Sequence, residues 1–278
     1  MTPLVYVIIL NWNGKDLTLE CLQLLSQCKY ENYKVLVVDN GSTDNSVNII
    51  QKEFPEVDIL ELEKNIGFAA GNNAGFKAIG EQNPHYVIFL NNDTIVDENF
   101  IEPLIEPLEN SSEIGQTAPK IFYYSDVNRI WYGGGKVNLW LGIIQHIGIR
   151  KYDSDRFLHS KMTDYATGCC FAMRYSDFKN IGGFNITYPM YCEDVDLSLR
   201  IRKTGKKILF VPTSKIQHRV SASIGGEFSW KKFKRKFQGL IKLFNEHATS
   251  MQKVIGLFYQ MITFPLQIIR FIFLVLRK

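Results

Sequence analysis

The sequence predicts an α/β fold with a mainly parallel central sheet and flanking helices. Three observations predict it. Short apolar runs end abruptly on Asn or Asp, helical patterns alternate with those runs from the N-terminus, and 46% hydrophobic content over 278 residues supplies one large core.

Leu4 to Leu10, Lys34 to Val38, Val57 to Leu62 and Tyr86 to Leu90 read as strands, each closing on a polar loop. Between them, Leu17 to Leu25, Val47 to Phe54 and Ala69 to Ile79 carry helical spacing. Strand–helix alternation implies right-handed βαβ units over roughly the first 120 residues, with the strand ends aligned on one edge. Residues 115 to 172 read as a hairpin-rich insertion, on Gly133-Gly134-Gly135, the aromatics Trp131, Tyr132 and Trp140, and Ile/Gly alternation at 142 to 149. A strand at Ile208 to Val211 follows a helix from Asp194 to Thr204.

The bulk composition excludes several classes. Lys and Arg total 32 against 28 Asp and Glu, and a net charge of +4 gives no footprint for nucleic acid. Five cysteines without C-x-x-C spacing argue against a disulfide framework and for a reducing, cytoplasmic setting. The N-terminus carries no basic region, and Val5 to Leu10 is too short for a signal-peptide core. No G-x-G-x-x-G or G-x-x-x-x-G-K-[ST] occurs, so dinucleotide and P-loop readings lose their main support.

The strand-end loops carry the candidate chemistry. In Val87-Ile88-Phe89-Leu90-Asn91-Asn92-Asp93-Thr94 an apolar run stops on two amides and a carboxylate. Ligands bind outside the carboxyl ends of such strands, which makes Asp93 a candidate holder of a divalent cation, although the same residues also start turns and cap helices. Asn11-Trp12-Asn13-Gly14 and Asp39-Asn40-Gly41-Ser42-Thr43-Asp44 follow neighbouring strands and form a candidate nucleotide pocket, with Asp39 placed to accept from a pyrimidine N–H. Asx turns favour the same residue types. Gly67, Gly71 and Gly75 form a small-residue face. Packing on the sheet explains Gly75, whereas the loop part, Asn65 to Asn72, is the candidate ligand contact.

These residues resemble the family 2 glycosyltransferases of GT-A fold, particularly the rhamnosyltransferase-like members. The resemblance is carried, in order, by Ile8-Ile9-Leu10-Asn11-Trp12-Asn13, Val37-Val38-Asp39-Asn40-Gly41-Ser42-Thr43-Asp44, Asn65-Ile66-Gly67-Phe68-Ala69-Ala70-Gly71-Asn72, Asn91-Asn92-Asp93 and Glu193-Asp194-Val195-Asp196. It spans about residues 4 to 220. It implies a nucleotide-diphosphate-sugar donor, Asp39 near the base, Asn65 and Asn72 near nucleotide or donor sugar, and Asp93 as the surviving acid of the metal-binding triplet. One departure is Asn91, which stands at the first acidic position of the Asp-x-Asp pattern; a neutral amide is the weaker magnesium ligand. His218, in Ile216-Gln217-His218-Arg219, occupies a place where family members often carry a metal or phosphate ligand, and imidazole also admits manganese. A structural histidine is the other reading.

Glu193-Asp194-Val195-Asp196 opens a helix, where carboxylates also act as caps worth about 0.3–1 kcal/mol. Inverting sugar transfer needs a base for the acceptor hydroxyl and neutralisation of the departing diphosphate. Asp194 is the candidate base, with Glu193 or Asp196 orienting the site, and Asn13, Asn40 and Asn92 complete the candidate nucleotide contacts. The adjacent Cys169 and Cys170 lie in a segment resembling the acceptor side of the family's cleft, and read as packing residues because no thiolate-stabilising pattern surrounds them.

Residues 1–225 read as a GT-A-like transferase domain and 226–278 as a basic and apolar, membrane-associating helical region. Trp230 to Phe237 interleaves aromatics with Lys231, Lys232, Lys234, Arg235 and Lys236, and Val254 to Leu276 is long enough to span a bilayer. Gln260, Thr263, Gln267 and Arg270 instead form a narrow polar stripe, and Pro265 is expected to interrupt the helix, so a helix lying in the interface fits better. Burial against a partner subunit remains the alternative, and an oligomer is compatible with the sequence.

The expected activity is metal-dependent, inverting transfer of a sugar, with rhamnose from a dTDP donor the best guess, onto a cell-surface glycan or lipid-linked acceptor at the inner face of the membrane. The alternatives are a sugar nucleotidyltransferase, for which the loop after the first strand lacks the Gly-rich basic character, and a non-catalytic, membrane-bound nucleotide-binding subunit.

Overall fold

The computed structural model describes residues 2–188, 190–220 and 230–276, with side chains described outside 230–233 and 264–276. Its N-terminal half alternates as the sequence predicts: β1 (Val5–Asn11), α1 (Lys15–Leu25), β2 (Tyr33–Asp39), α2 (Ser46–Glu53), β3 (Asp58–Glu61), α3 (Phe68–Ala78) and β4 (Tyr86–Asn91). The short β5 (Thr94–Val96) and α4 (Ile101–Asn110) come next. Then follow β6 (Ile114–Tyr123), β7 (Asp126–Tyr132), the hairpin β8 (Gly135–Asn138) and β9 (Ile143–His146), β10 (Lys161–Thr163), β11 (Cys170–Arg174), α5 (Tyr175–Asn180), α6 (Glu193–Lys203) and β12 (Lys207–His218). The helices α7 (Trp230–His247) and α8 (Ser250–Leu276) close the described chain.

The main sheet runs β10-β12-β6-β11-β4-β1-β2-β3. β1, β2, β3 and β4 are parallel, and so are β6 and β12, whereas β11 is antiparallel between β4 and β6. β1, β2 and β4 are buried nearly from end to end, as continuous apolar runs require when helices cover both faces. α3 reaches the sheet closely because a Cβ on Gly75 would stand 2.6 Å from Val38 Cγ2, and one on Gly71 2.6 Å from Leu10 Cδ1. Gly71 therefore packs on the sheet as Gly75 does.

The expected insertion is only partly an insertion. β8 and β9 form the hairpin, but residues 114–123 are a central strand, paired with β12, β11 and β7. Gln116, Thr117 and Lys120 break its apolar signature in sequence, yet all three are buried with partners. Thr117 Oγ1 donates to Leu104 O, Ser198 Oγ to Gln116 Oε1, and Lys120 Nζ binds Asp153 at 2.7 Å. α8 likewise runs through Pro265 without interruption. A proline removes one helical hydrogen bond, and an apolar segment offers no competing backbone arrangement that would recover it.

Candidate active site

Register brings the polar strand ends together. Asn11 pairs with Asp39 across β1 and β2, and Leu10 with Asn91 across β1 and β4, so three loops open on one sheet edge. Asp39 organises the first pair of loops: Asn11 Nδ2 donates to its Oδ2 at 2.8 Å and the Ser42 amide to its Oδ1 at 2.8 Å. Each carboxylate oxygen keeps a second lone pair for a ligand donor. Asn13 closes the loop from its other side, with its amide on Ser42 Oγ and its Oδ1 accepting from Thr43 N at 2.7 Å.

Asn40 carries that loop to the next one. Its Nδ2 lies 3.2 Å from Asn65 Oδ1, and its Oδ1 accepts from the Ile66 amide. Gly67 adopts φ +90°, a conformation that disfavours any side chain, and opens α3. Asn72 is buried and donates to Phe68 O within its own helix, leaving its carbonyl oxygen for other partners. Asn92 donates to Thr18 Oγ1 at 2.9 Å, tying the end of β4 to α1. The structure thus gathers Asn11, Asn13, Asp39, Asn40, Asn65 and Gly67 into one hydrogen-bonded cluster of strand-end loops, while the side chains of Asn72 and Asn92 are engaged within the fold.

Asp93 and His218 meet although 125 residues separate them in sequence, because β12 ends antiparallel to β5, pairing His218 with Thr94. The Arg219 amide donates to Asp93 O at 2.9 Å. His218 Nε2 stands 3.2 Å from Asp93 Oδ1, yet the approach lacks hydrogen-bond direction, and Oδ1 is buried without a hydrogen-bond partner, as is Nδ1 on the other side of the imidazole ring. Two ligand-type atoms converging without bonding one another fit a shared cation, with carboxylate oxygen suiting magnesium and imidazole extending the choice to manganese. Trp131 packs on the His218 ring at 4.4 Å and on His146 at 4.5 Å. Burial among these rings pushes the His146 imidazole down to about 4, so it is neutral.

The second acidic segment lies beside the first. The Asn91 amide donates to Cys169 O, and the Gly168 amide to Asp194 Oδ2 at 2.8 Å, so the β4 end and the α6 start share one connecting strand. Burial raises the Cys169 thiol, and the nearby charges of Asp93 and Asp194 raise it further. Burial raises Asp194 as well; the Gly168 and Val195 amides oppose that shift without cancelling it. Burial and then the Asp194 charge push Glu193 to about 8, and its Oε2 is buried without a partner. Tyr191 and Cys192 precede this pair with φ of 72° and 71°, consecutive left-handed residues that strain the entry to α6.

Asp196 faces away from that pair. Burial would raise its carboxyl, but the His247 hydrogen bond and the Arg200 guanidinium outweigh burial and hold it below the usual range. Asp196, Glu246 and His247 place one ligand-type atom each within 4.8 Å of one another. Arg200, Lys242 and Tyr188 already bind these carboxylates, which makes the cluster an ion-pair network fastening α7. All five cysteines are free, and burial pushes Cys21 and Cys28 up to about 12, as packing residues require.

Trp131, His146 and His247 escaped sequence reasoning. An isolated histidine or tryptophan carries no spacing signal.

The glycosyl transferase family 2 model matches residues 6–182, which is most of the chain and includes the loops after β1 and β2 and Asp93. The chain belongs to glycosyl transferase family 2. This family 2 protein is thus a glycosyltransferase of the hexosyl-transferring type. It is 26% identical over 242 residues to the N-acetylglucosaminyl-diphospho-decaprenol L-rhamnosyltransferase of Mycobacterium tuberculosis, covering 81% of this chain and 79% of the relative. It is 27% identical over 220 residues to the rhamnosyltransferase WbbL of Escherichia coli, covering 75% and 81%. Its fold is GT-A. GalNAc-T7 solved with UDP, GalNAc and Mn2+ superposes with a TM-score of 0.66 at 18% identity, over 86% of this chain and 48% of that one. The mannosyltransferase PcManGT of Pyrobaculum calidifontis, in complex with GDP-Man and Mn2+, gives 0.61 at 17% identity, over 88% and 64%.

Proposed function

We propose that this chain is an inverting, metal-dependent rhamnosyltransferase that moves rhamnose from a dTDP donor to a lipid-linked glycan intermediate at the inner face of the cell membrane. Residues 1–225 would form the transferase domain and 226–278 the membrane-associating part. The observation that carries the reading is the junction at Gly168-Cys169, where the Cys169 carbonyl accepts from the Asn91 amide at the end of β4, two residues before Asp93 with its neighbour His218, and the Gly168 amide donates to Asp194 Oδ2. The names of the mycobacterial and E. coli relatives supply the sugar and the lipid-linked class of acceptor.

Asp39, Asn11, Asn13 and Asn40 shape the nucleotide pocket, and Asn65, Gly67, Asn72 and Asn92 its continuation toward the sugar. Asp93 and His218 would hold a divalent cation, which supplies charge neutralisation to the leaving diphosphate. Asp194 takes the acceptor hydroxyl proton as the acceptor oxygen bonds to the sugar's anomeric carbon. The anomeric carbon–oxygen bond to phosphate breaks on the opposite face, and its electron pair leaves on the diphosphate. A raised Asp194 carboxyl serves this role because a more basic carboxylate accepts a proton better. Glu193, protonated near neutral pH, can donate to an acceptor or donor oxygen.

The deciding assay follows nucleotide release from a panel of nucleotide sugars with magnesium, manganese or chelator, with and without a lipid-linked acceptor. The expected result is dTDP release from dTDP-rhamnose, stimulated by acceptor and abolished by chelator. Pyrophosphate formation from sugar phosphate and nucleoside triphosphate would mean a nucleotidyltransferase. Silence with every donor would mean a non-catalytic subunit.

A further inference from the structure

Helix α8 has its polar side turned inward and its apolar side turned out. Gly256, Tyr259, Gln260 and Thr263 fall within about 100° of one another at 100° per residue. This side meets the protein: Gln260 Nε2 donates to Leu141 O at 2.8 Å and Gly142 O at 3.1 Å, and a Cβ on Gly256 would stand 2.5 Å from Phe244 Cζ. The opposite side carries Met251, Val254, Leu257, Phe258, Met261 and Ile262, each between 58% and 69% exposed. Trp140, 45% exposed at the hairpin tip, adjoins α8 at Gly256, its carbonyl 3.3 Å from a Cβ there. The polar stripe that the sequence assigns to lipid headgroups is therefore, at Gln260, a docking contact with the β8–β9 hairpin. Gln267 and Arg270 lie outside the described side chains.

We infer that this outward face of α8, together with the half-exposed Trp140 of the hairpin beside it, is a docking surface for an anionic lipid bilayer. Six large apolar side chains in contiguous helical positions form a patch that water-exposed helices avoid and that interfacial helices present. Charge selects the occupant. Glu246 is the only carboxylate side chain among residues 230–278, against ten Lys and Arg, so a second copy laid against this face would bring like charges together. An anionic membrane complements them, with about 1 kcal/mol for each basic residue near the surface. No helix among the described residues is long and apolar enough to cross a membrane.

The catalytic segment is fixed to this surface. α7 crosses over Tyr191 where a Cβ on Gly239 would stand 2.5 Å from the Tyr191 carbonyl, and His247 at the end of α7 bonds Asp196. A bilayer that receives α8 thereby holds Glu193 and Asp194 near the lipid plane. Only this last consequence, delivery of a lipid-linked acceptor, rests on the transferase reading.

The test is flotation of the full chain with phosphatidylcholine vesicles made with and without phosphatidylglycerol, beside L257Q/F258Q/M261Q and W140F. We expect flotation with anionic vesicles that weakens with salt, and a vesicle-induced blue shift of tryptophan emission that W140F removes. The triple variant should bind vesicles at least about tenfold more weakly, since three large apolar side chains are lost from the face that enters the lipid. Its circular dichroism and donor hydrolysis should match the parent protein. Failure of the folded parent to float with either vesicle overturns the inference, as does a parent dimer that the triple variant dissolves without altering flotation. Flotation without nucleotide release from any donor would retain the docking surface and sink the transferase reading.

Discussion

His247 Nε2 lies 2.7 Å from Asp196 Oδ1, joining α7 to α6 two residues beyond Asp194. Both side chains are almost wholly buried, and Arg200 Nε completes the group at 2.8 Å from Asp196 Oδ2. His247→Ala should cost about 1–3 kcal/mol, because it strands a buried carboxylate oxygen while Arg200 still neutralises the charge. Thermal unfolding checks the magnitude, and limited proteolysis should show earlier cleavage within α7.

Asp194→Asn should lower kcat by roughly 10²–10⁴-fold through loss of the base. Stability should change little, because the substitution removes a buried charge but gives up one of the two amide hydrogen bonds from Gly168 and Val195. A fall in kcat matched by unfolding of the variant would contradict the catalytic assignment.

Glu193 binds its proton more tightly folded than unfolded, with its carboxyl pushed to about 8 from 4.5. Between those values the folded state holds more protons, so the Glu193 contribution weakens stability as pH rises through that window and is fully unfavourable above about 8. Glu193→Gln imitates the protonated acid and should remove the penalty. We expect a Tm at pH 9 at least about 2–4 °C above the parent, and little difference at pH 4. The pH–rate profile should keep its acidic limb, set by Asp194, and lose the inflection near 8.

The convergence of the polar strand ends was legible because residue type and position coincide there. Asn11, Asp39 and Asp93 each end an apolar run, and a run buried on both faces can place a polar group only at its end. The central strand β6 was not legible, since Gln116, Thr117 and Lys120 find their partners on α4, α6 and the 153–157 loop, all distant in sequence. The same holds for α8: its polar stripe was readable, but which side meets protein depends on the β8–β9 hairpin more than a hundred residues earlier. Periodicity gives an amphipathic helix two faces without saying which one is solvated.

Asp93→Asn and His218→Ala should each weaken Mn2+ binding at least about tenfold, read directly by electron paramagnetic resonance of the free ion rather than through activity. Trp131→Leu tests the packing behind the ligand: removing the ring that touches both His218 and His146 frees the imidazole to rotate. Supporting residues of this kind are worth about 10–100-fold in metal affinity. Unchanged Mn2+ affinity in all three variants would remove Asp93 and His218 from the metal site.

Gly75→Ala sets two effects of opposite sign against each other. Within α3 the alanine gains about 0.8–1 kcal/mol of helix propensity. Its Cβ, however, would meet Val38 Cγ2 at 2.6 Å and Ile8 Cγ2 at 3.0 Å, both on fully buried β-branched residues of the central strands. Neither side chain can rotate away without clashing in a close-packed core, and overpacking of this kind costs about 1–3 kcal/mol. The steric term should win, giving a net loss near 1 kcal/mol and a Tm lowered by about 2–4 °C. Gly67→Ala separates the two causes. Nothing lies within 4 Å of its Cβ position, so any loss there comes from the φ of +90° alone. A Gly75→Ala protein that melts above the parent would mean that α3 stands farther from β1 and β2 than the 2.6 Å approach requires.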